Sequence, residues 1–187
     1  MFQTHTITMA IINQVDIDDF TGEFSLSTST YSDETFDSFV TQKQYELLMG
    51  IFGAGLYNTY VADPTDTDWV AFRDGEAYTD LSGYTQNWDG LTYLMKPYIF
   101  AKYIMFNHLK AVESGIAKPR LENADTVSEY DLKRLYYLHW NEFVNRYNEA
   151  FQYLWTKYNG DSTKYTDFYI HFFPMLRDDI LIRGNIT

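Results

Sequence analysis

Residues 128–158 read SEYDLKRLYYLHWNEFVNRYNEAFQYLWTKY, and the spacing of their apolar positions decides the fold class. Leu132, Leu135, Tyr136, Trp140, Phe143, Tyr147, Ala150, Phe151, Leu154 and Tyr158 recur every three or four positions, which places them along one face of a helix. Ser128-Glu129-Tyr130-Asp131 opens that helix as a near capping box with Asp in place of Glu, and Asn159-Gly160 is a stop signal. A helix with so broad a stripe of rings needs other helices to lie against.

The preceding stretch supplies one. Asp89 is placed to cap a long helix running to about Ser114, with Gly115 as its stop. Its apolar positions, Leu91, Leu94, Met95, Tyr98, Ile99, Ala101, Tyr103, Ile104, Met105 and Leu109, wrap most of the circumference, the mark of a helix buried on several sides. Pro97 lies inside it and is expected to kink it or shift its effective start. Further back, Phe36, Phe39, Val40, Lys43, Leu47 and Leu48 predict a helix over 35–49 with Asp33 as N-cap. Gly50, Gly53 and Gly55 then punctuate the chain, and a short second helix around Leu56, Tyr57, Tyr60 and Val61 ends at Asp63-Pro64. Trp69 to Trp88 reads as short elements and turns, with Asp74-Gly75 and Ser82-Gly83 framing a small hairpin around Ala77 to Leu81.

The expectation is a mainly α protein: a helical bundle of about four to five helices, a small hairpin or irregular insertion, and extended N- and C-terminal arms. The division is 1–32 for the N-terminal arm, 33–160 for the bundle core and 161–187 for the C-terminal arm. No internal repeat, low-complexity run or Pro/Gly/Ser-rich linker divides it further.

Composition narrows the function. At 187 residues the chain suits one domain able to bury a real core. It contains no cysteine, which excludes disulfides, thiolate metal sites and cysteine nucleophiles. No run approaches the length of a membrane helix, and the Met9 to Ile12 apolar run is too short for a signal sequence, so a soluble protein made in the cytoplasm is expected. The formal charge is −12, and residues 1–72 hold −10 of it, with eleven acids against Lys43 alone. An acidic surface repels phosphate, so tight nucleic-acid binding is not expected.

The usual catalytic constellations are missing. Gly53-Ala54-Gly55 lacks the remainder of a dinucleotide fingerprint or a P-loop and reads as a turn. His5, His108, His139 and His171 are at least 31 residues apart, so no helical pair of metal ligands exists, and His139 within an aromatic stripe reads as a core or interface histidine. Asp63, Asp66 and Asp68 alternate as calcium ligands do, but without the glycine and bidentate glutamate such a loop needs. Glu76, Asp80 and Asp89 among Tyr78, Tyr84 and Trp88 have the ingredients of a glycosidase site, a combination that arises readily in a chain of 26 acids and many rings. The expectation is a protein that is not an enzyme and takes neither cofactor nor metal.

The aromatic content, 17 Tyr, 14 Phe and 4 Trp, is the strongest anomaly. Such side chains favour cores and interfaces alike. The arms contribute Phe20 and Phe24 at one end and Tyr165, Phe168, Tyr169, Phe172 and Phe173 at the other, and these are the candidate interface residues. An aromatic-rich ligand-binding module, for glycans, with Trp69, Tyr78, Tyr84 and Trp88 as stacking platforms, is the alternative.

The order of features resembles the head-to-tail connector (adaptor, head-completion) proteins of tailed bacteriophages, those of short-tailed phages in particular. The matching segments are Gln44-Tyr45-Glu46-Leu47-Leu48-Met49-Gly50, Leu56-Tyr57-Asn58, Asn87-Trp88-Asp89-Gly90-Leu91 leading to Tyr98-Ile99-Phe100-Ala101-Lys102-Tyr103, and the closing helix with Trp140-Asn141 and Tyr153-Leu154. The resemblance spans roughly residues 35–158. It implies a structural virion protein at the neck, forming a homo-oligomeric ring, typically twelve-fold, that docks on the portal protein and receives tail or further neck proteins. An acidic lining would let DNA pass without sequence-specific binding.

Overall fold

The computed structural model describes residues 14–24, 33–108, 110–112, 115–117 and 129–158. The architecture is a helical bundle with small antiparallel hairpins. Helix α1 spans Asp33–Ala62, α2 Thr67–Asp74, α3 Gly90–His108 and α4 Glu129–Tyr158. Strands β1 (Glu76–Thr79) and β2 (Thr85–Trp88) form one hairpin, with Glu76 opposite Trp88 and Thr79 opposite Thr85. Strands β3 (Lys110–Val112) and β4 (Gly115–Ala117) form the other. The long helix expected to run to Ser114 therefore ends at His108, because the backbone from 110 onward pairs as a ladder, with Gly115 inside β4 where a helix stop was expected.

Helix α1 is two helices joined at Gly53, whose φ of 68° and ψ of 169° lie in a region that only glycine enters cheaply. Of the three glycines expected to punctuate this stretch, Gly53 makes the break. Tyr45 and Tyr57 meet edge to face across it, their centroids 5.5 Å apart. Phe36, Phe39, Val40, Leu47 and Leu48 face the core, but the inward position assigned to Lys43 belongs to Gln44, and Lys43 turns outward to Glu46 at 2.7 Å.

Helix α2 is one of the short elements expected in this stretch, and begins two residues ahead of Trp69. Asp66 caps it by accepting from the Asp68 amide, and Gly75, at a φ of 91°, closes it. Only Trp69 and Phe72 face inward, too few for a helical period to register in the sequence.

Helix α3 is the hub, lying against α4, α2 and α1. Leu91, Leu94, Met95, Ile99 and Ala101 have essentially no exposed surface, while Met105 near its end meets solvent. α3 and α4 run antiparallel, so that Trp88 meets Tyr153, Tyr98 meets Phe143 and Phe100 meets His139. Pro97 has no amide to give the carbonyl one turn back, that of Tyr93. Arg146 of α4 donates to that carbonyl at 2.5 Å while its guanidinium lies 3.8 Å from the centre of the Tyr93 ring and also meets Glu142. A backbone group orphaned in one helix is thus satisfied by the next.

On α4 the expected stripe faces inward at Trp140, Phe143, Tyr147, Ala150 and Leu154, joined by Val144 and Tyr153. Leu135 departs from it and is exposed. No helix among the described residues is long and apolar enough to cross a membrane.

Candidate functional site

Two regions hold the candidate residues: the N-terminal segment 14–24 and the β1–β2 hairpin with the α4 surface beside it.

The N-terminal segment lies on the bundle. Gln44, with no exposed surface, accepts from the amides of Gln14 and Val15 at 2.6 and 3.0 Å and donates to the Val15 carbonyl at 2.6 Å. One side-chain amide thereby reproduces the donor and acceptor of a strand edge. Thr92 of α3 donates to the Gln14 carbonyl at 3.2 Å, and Lys96 stands 3.8 Å from Asp19. Asp16 and Asp19 cap a short 3-10 turn reciprocally. Phe20 then meets Phe36 edge to face at 5.9 Å, and Phe24 fits between Phe100 and His139 under the Arg146 guanidinium.

Phe20 and Phe24, singled out as interface residues, are therefore buried in their own chain, because the bundle already has a groove of rings for them. The other five candidates, Tyr165, Phe168, Tyr169, Phe172 and Phe173, lie outside the described residues, as do most of the two arms. His139 is a core histidine, with its Nδ1 3.5 Å from Glu142 and without a well-aligned hydrogen bond.

At the opposite end of α4, Tyr153 is ringed by Phe72, Trp88 and Tyr78 at 5.9, 5.9 and 5.1 Å. The Trp88 indole donates to the Phe72 carbonyl at 2.7 Å. Glu76 accepts from the Tyr153 hydroxyl at 2.7 Å and from Lys157 at 2.5 Å, clamping β1 to α4. Burial pushes the Glu76 carboxyl up, but the hydrogen bonds from Lys157 and Tyr153 outweigh it and hold the group below the usual glutamate range. A cleft of about 360 Å³ opens here, lined by Glu76, Ala77, Tyr78, Thr79, Thr156 and Lys157.

The hairpin tip is built by Asp80. Its carboxylate accepts from the amides of Ser82 and Tyr84, each at 2.9 Å, and from the Gln86 side chain at 3.1 Å. These bonds, the Tyr84 amide first, lower its pKa. Gly83, at a φ of 87°, completes the turn. The loop so fixed holds Leu81 and Tyr84 in solvent, 63% and 69% exposed.

The proposed chemistries fare differently. Trp69 and Trp88 are buried and cannot serve as stacking platforms, and Tyr78 is turned onto Tyr153; of the four rings only Tyr84 is open. Of the suspected hydrolytic acids, Glu76 is held by Lys157 and Tyr153, and Asp80 is spent on its own turn. Glu149 is raised, by burial first and then by the charge of Asp89. Asp63 accepts from Thr65 and Asp66 caps α2, which accounts for the acidic loop as turn chemistry. No group of three or more metal-ligating side chains occurs among the described residues.

Sequence reasoning gave no role to Gln44 or Leu81 and read Tyr84 only as a stacking ring. The available signals were a lone polar residue on an apolar stripe, and two large apolar side chains in a turn with no periodic partner.

Residues 50–168 match the model of a family of unknown function, DUF6712. The chain belongs to that family. The DUF6712 match takes in the second half of α1, both hairpins, α3 and α4, and leaves out the docked segment 14–24 and Gln44. No curated protein and no solved structure matches the chain.

Proposed function

We propose that this protein is a structural connector subunit of a tailed bacteriophage, assembling as a ring between portal and tail at the virion neck. The observation that carries the reading is how the described residues are used. The candidate catalytic acid Glu76 and most rings hold the bundle together, Asp80 holds its own turn, and large apolar side chains are left in solvent at the hairpin tip and on α4. Such a molecule is equipped for contact with other proteins more than for chemistry in a pocket. The resemblance in helix order over residues 35–158 supplies the choice of assembly. Acidity supports it as well, since a net charge of −12 keeps passing DNA from sticking.

Electron microscopy of purified virions, with an antibody or fused tag marking this chain, tests the reading. A closed ring at the neck is the expected result. Absence from the particle, with the protein present in infected cells only as free monomer, overturns it.

A further inference from the structure

Apart from Trp155 near the end of α4, which stacks on Phe151, the large apolar side chains that meet solvent fall into two groups. Leu81 and Tyr84 form one, at the hairpin tip; Tyr130, Leu135 and Leu138 form the other, near the start of α4, where the antiparallel register brings the exposed Met105 and Phe106 of α3 level with them. The hairpin is fastened to α4 at Tyr153 and Lys157. Leu138 lies about 22 Å back along the same helix at 1.5 Å per residue. Leu81, Tyr84 and Leu138 are each more than 60% exposed, so the two groups do not cover one another within a copy.

Charge distinguishes the ends. Residues 63–89 carry seven acids and one base, Arg73, for a net −6. On the α4 stripe, Lys133 and Arg134 balance Glu129 and Asp131, and the exposed Arg134 sits one turn from both Tyr130 and Leu138. A tip-to-tip dimer would oppose two acidic ends, and a stripe-to-stripe dimer would leave the tip bare. Tip on stripe covers both groups and brings Arg134 toward the acidic end. The tip is also preorganised by Asp80, so little conformational freedom is lost when it docks.

We propose that the hairpin tip of one copy docks on the Tyr130/Leu135/Leu138 stripe of a second copy. The contact is heterologous, using different surfaces on the two partners, and so repeats from copy to copy and closes into a ring if the rotation allows. The choice of a second copy as partner rests on the connector reading; the choice of surfaces does not.

The absence of cysteine makes the test clean, because every disulfide must come from an introduced pair. Full-length S82C and R134C are prepared singly, checked for unchanged helical circular dichroism, mixed and oxidised. The expected result is a cross-linked dimer in the mixture and not in either variant alone, and a ladder of higher species for the chain carrying both substitutions. Cross-linking of S82C or R134C with itself as readily as with the other overturns the proposal, as does no cross-linking in any combination. Leu81→Ser with Tyr84→Ser should also weaken self-association at least about tenfold by light scattering. A chain missing from the neck, but cross-linking in this pairing, would sink the connector reading alone; a neck ring whose neighbours never join at these positions would sink this contact alone.

Discussion

The segment 14–24 and the hairpin 76–88 begin from the same local chemistry and end in opposite environments. In each, an aspartate folds the chain tightly by accepting from backbone amides, Asp16 from Asp18 and Asp80 from Ser82 and Tyr84. In each, large apolar side chains are carried on the resulting turn. The first delivers Phe20 and Phe24 into a groove among Phe36, Phe100 and His139. The second anchors only its base, through Trp88, Tyr78 and Glu76, and leaves Leu81 and Tyr84 outside. Turn chemistry therefore sets where a ring is carried, and the bundle decides whether it finds a seat.

The sharpest way to break this contrast is Phe24→Ala, which empties a site enclosed by Phe100, His139 and Arg146. Chemical denaturation should show a loss of about 3–5 kcal/mol; a loss below about 1 kcal/mol would mean that the segment is not seated in solution. Next comes Gln44→Leu, which keeps the volume near constant but strands the amides of Gln14 and Val15 and the Val15 carbonyl. Its expected cost is about 1–3 kcal/mol, with proteolysis of the 14–24 segment accelerated ahead of the bundle.

Smaller still is Glu76→Gln, at about 1 kcal/mol near neutral pH because the pair with Lys157 is partly solvated. The folded Glu76 carboxyl lies below its ordinary range, so its stabilisation is complete above the usual glutamate pKa and disappears as pH falls through the folded value. The gap between parent and variant should shrink on acidification, and a gap independent of pH would show that the clamp is not ionic. Last, Leu81→Ser and Tyr84→Ser should each leave stability within about 0.5 kcal/mol of the parent. A large drop in thermal midpoint would mean that the tip is core after all.

Helix α4 was legible because Trp140, Phe143, Tyr147, Ala150 and Leu154 keep a helical period over several turns, and α3 because apolar residues surround it. The kink at Gly53 was foreshadowed by three neighbouring glycines without being resolved among them. Helix α2 was hidden by its shortness, and the end of α3 by a ladder whose pairing depends on backbone geometry rather than residue type. Much of the surplus of rings is seated in the core, where Phe20, Phe24, Trp69, Trp88 and Trp140 are all buried. Composition counts rings but not the seats for them. Gln44 and Asp80 act through hydrogen bonds to particular amides, which no period in the sequence records.

The two glycines that bracket the hairpin touch. A side chain on Gly75 would run into the Trp88 carbonyl at 2.5 Å, and one on Gly90 into the Arg73 carbonyl at 2.6 Å, both glycines having positive φ. The chain thus leaves the bundle and re-enters it through a single doorway, with Trp88 as the latch. A segment mounted in this way is a cassette: its outer turn, residues 80–84, can be lengthened, shortened or replaced while the frame keeps its shape.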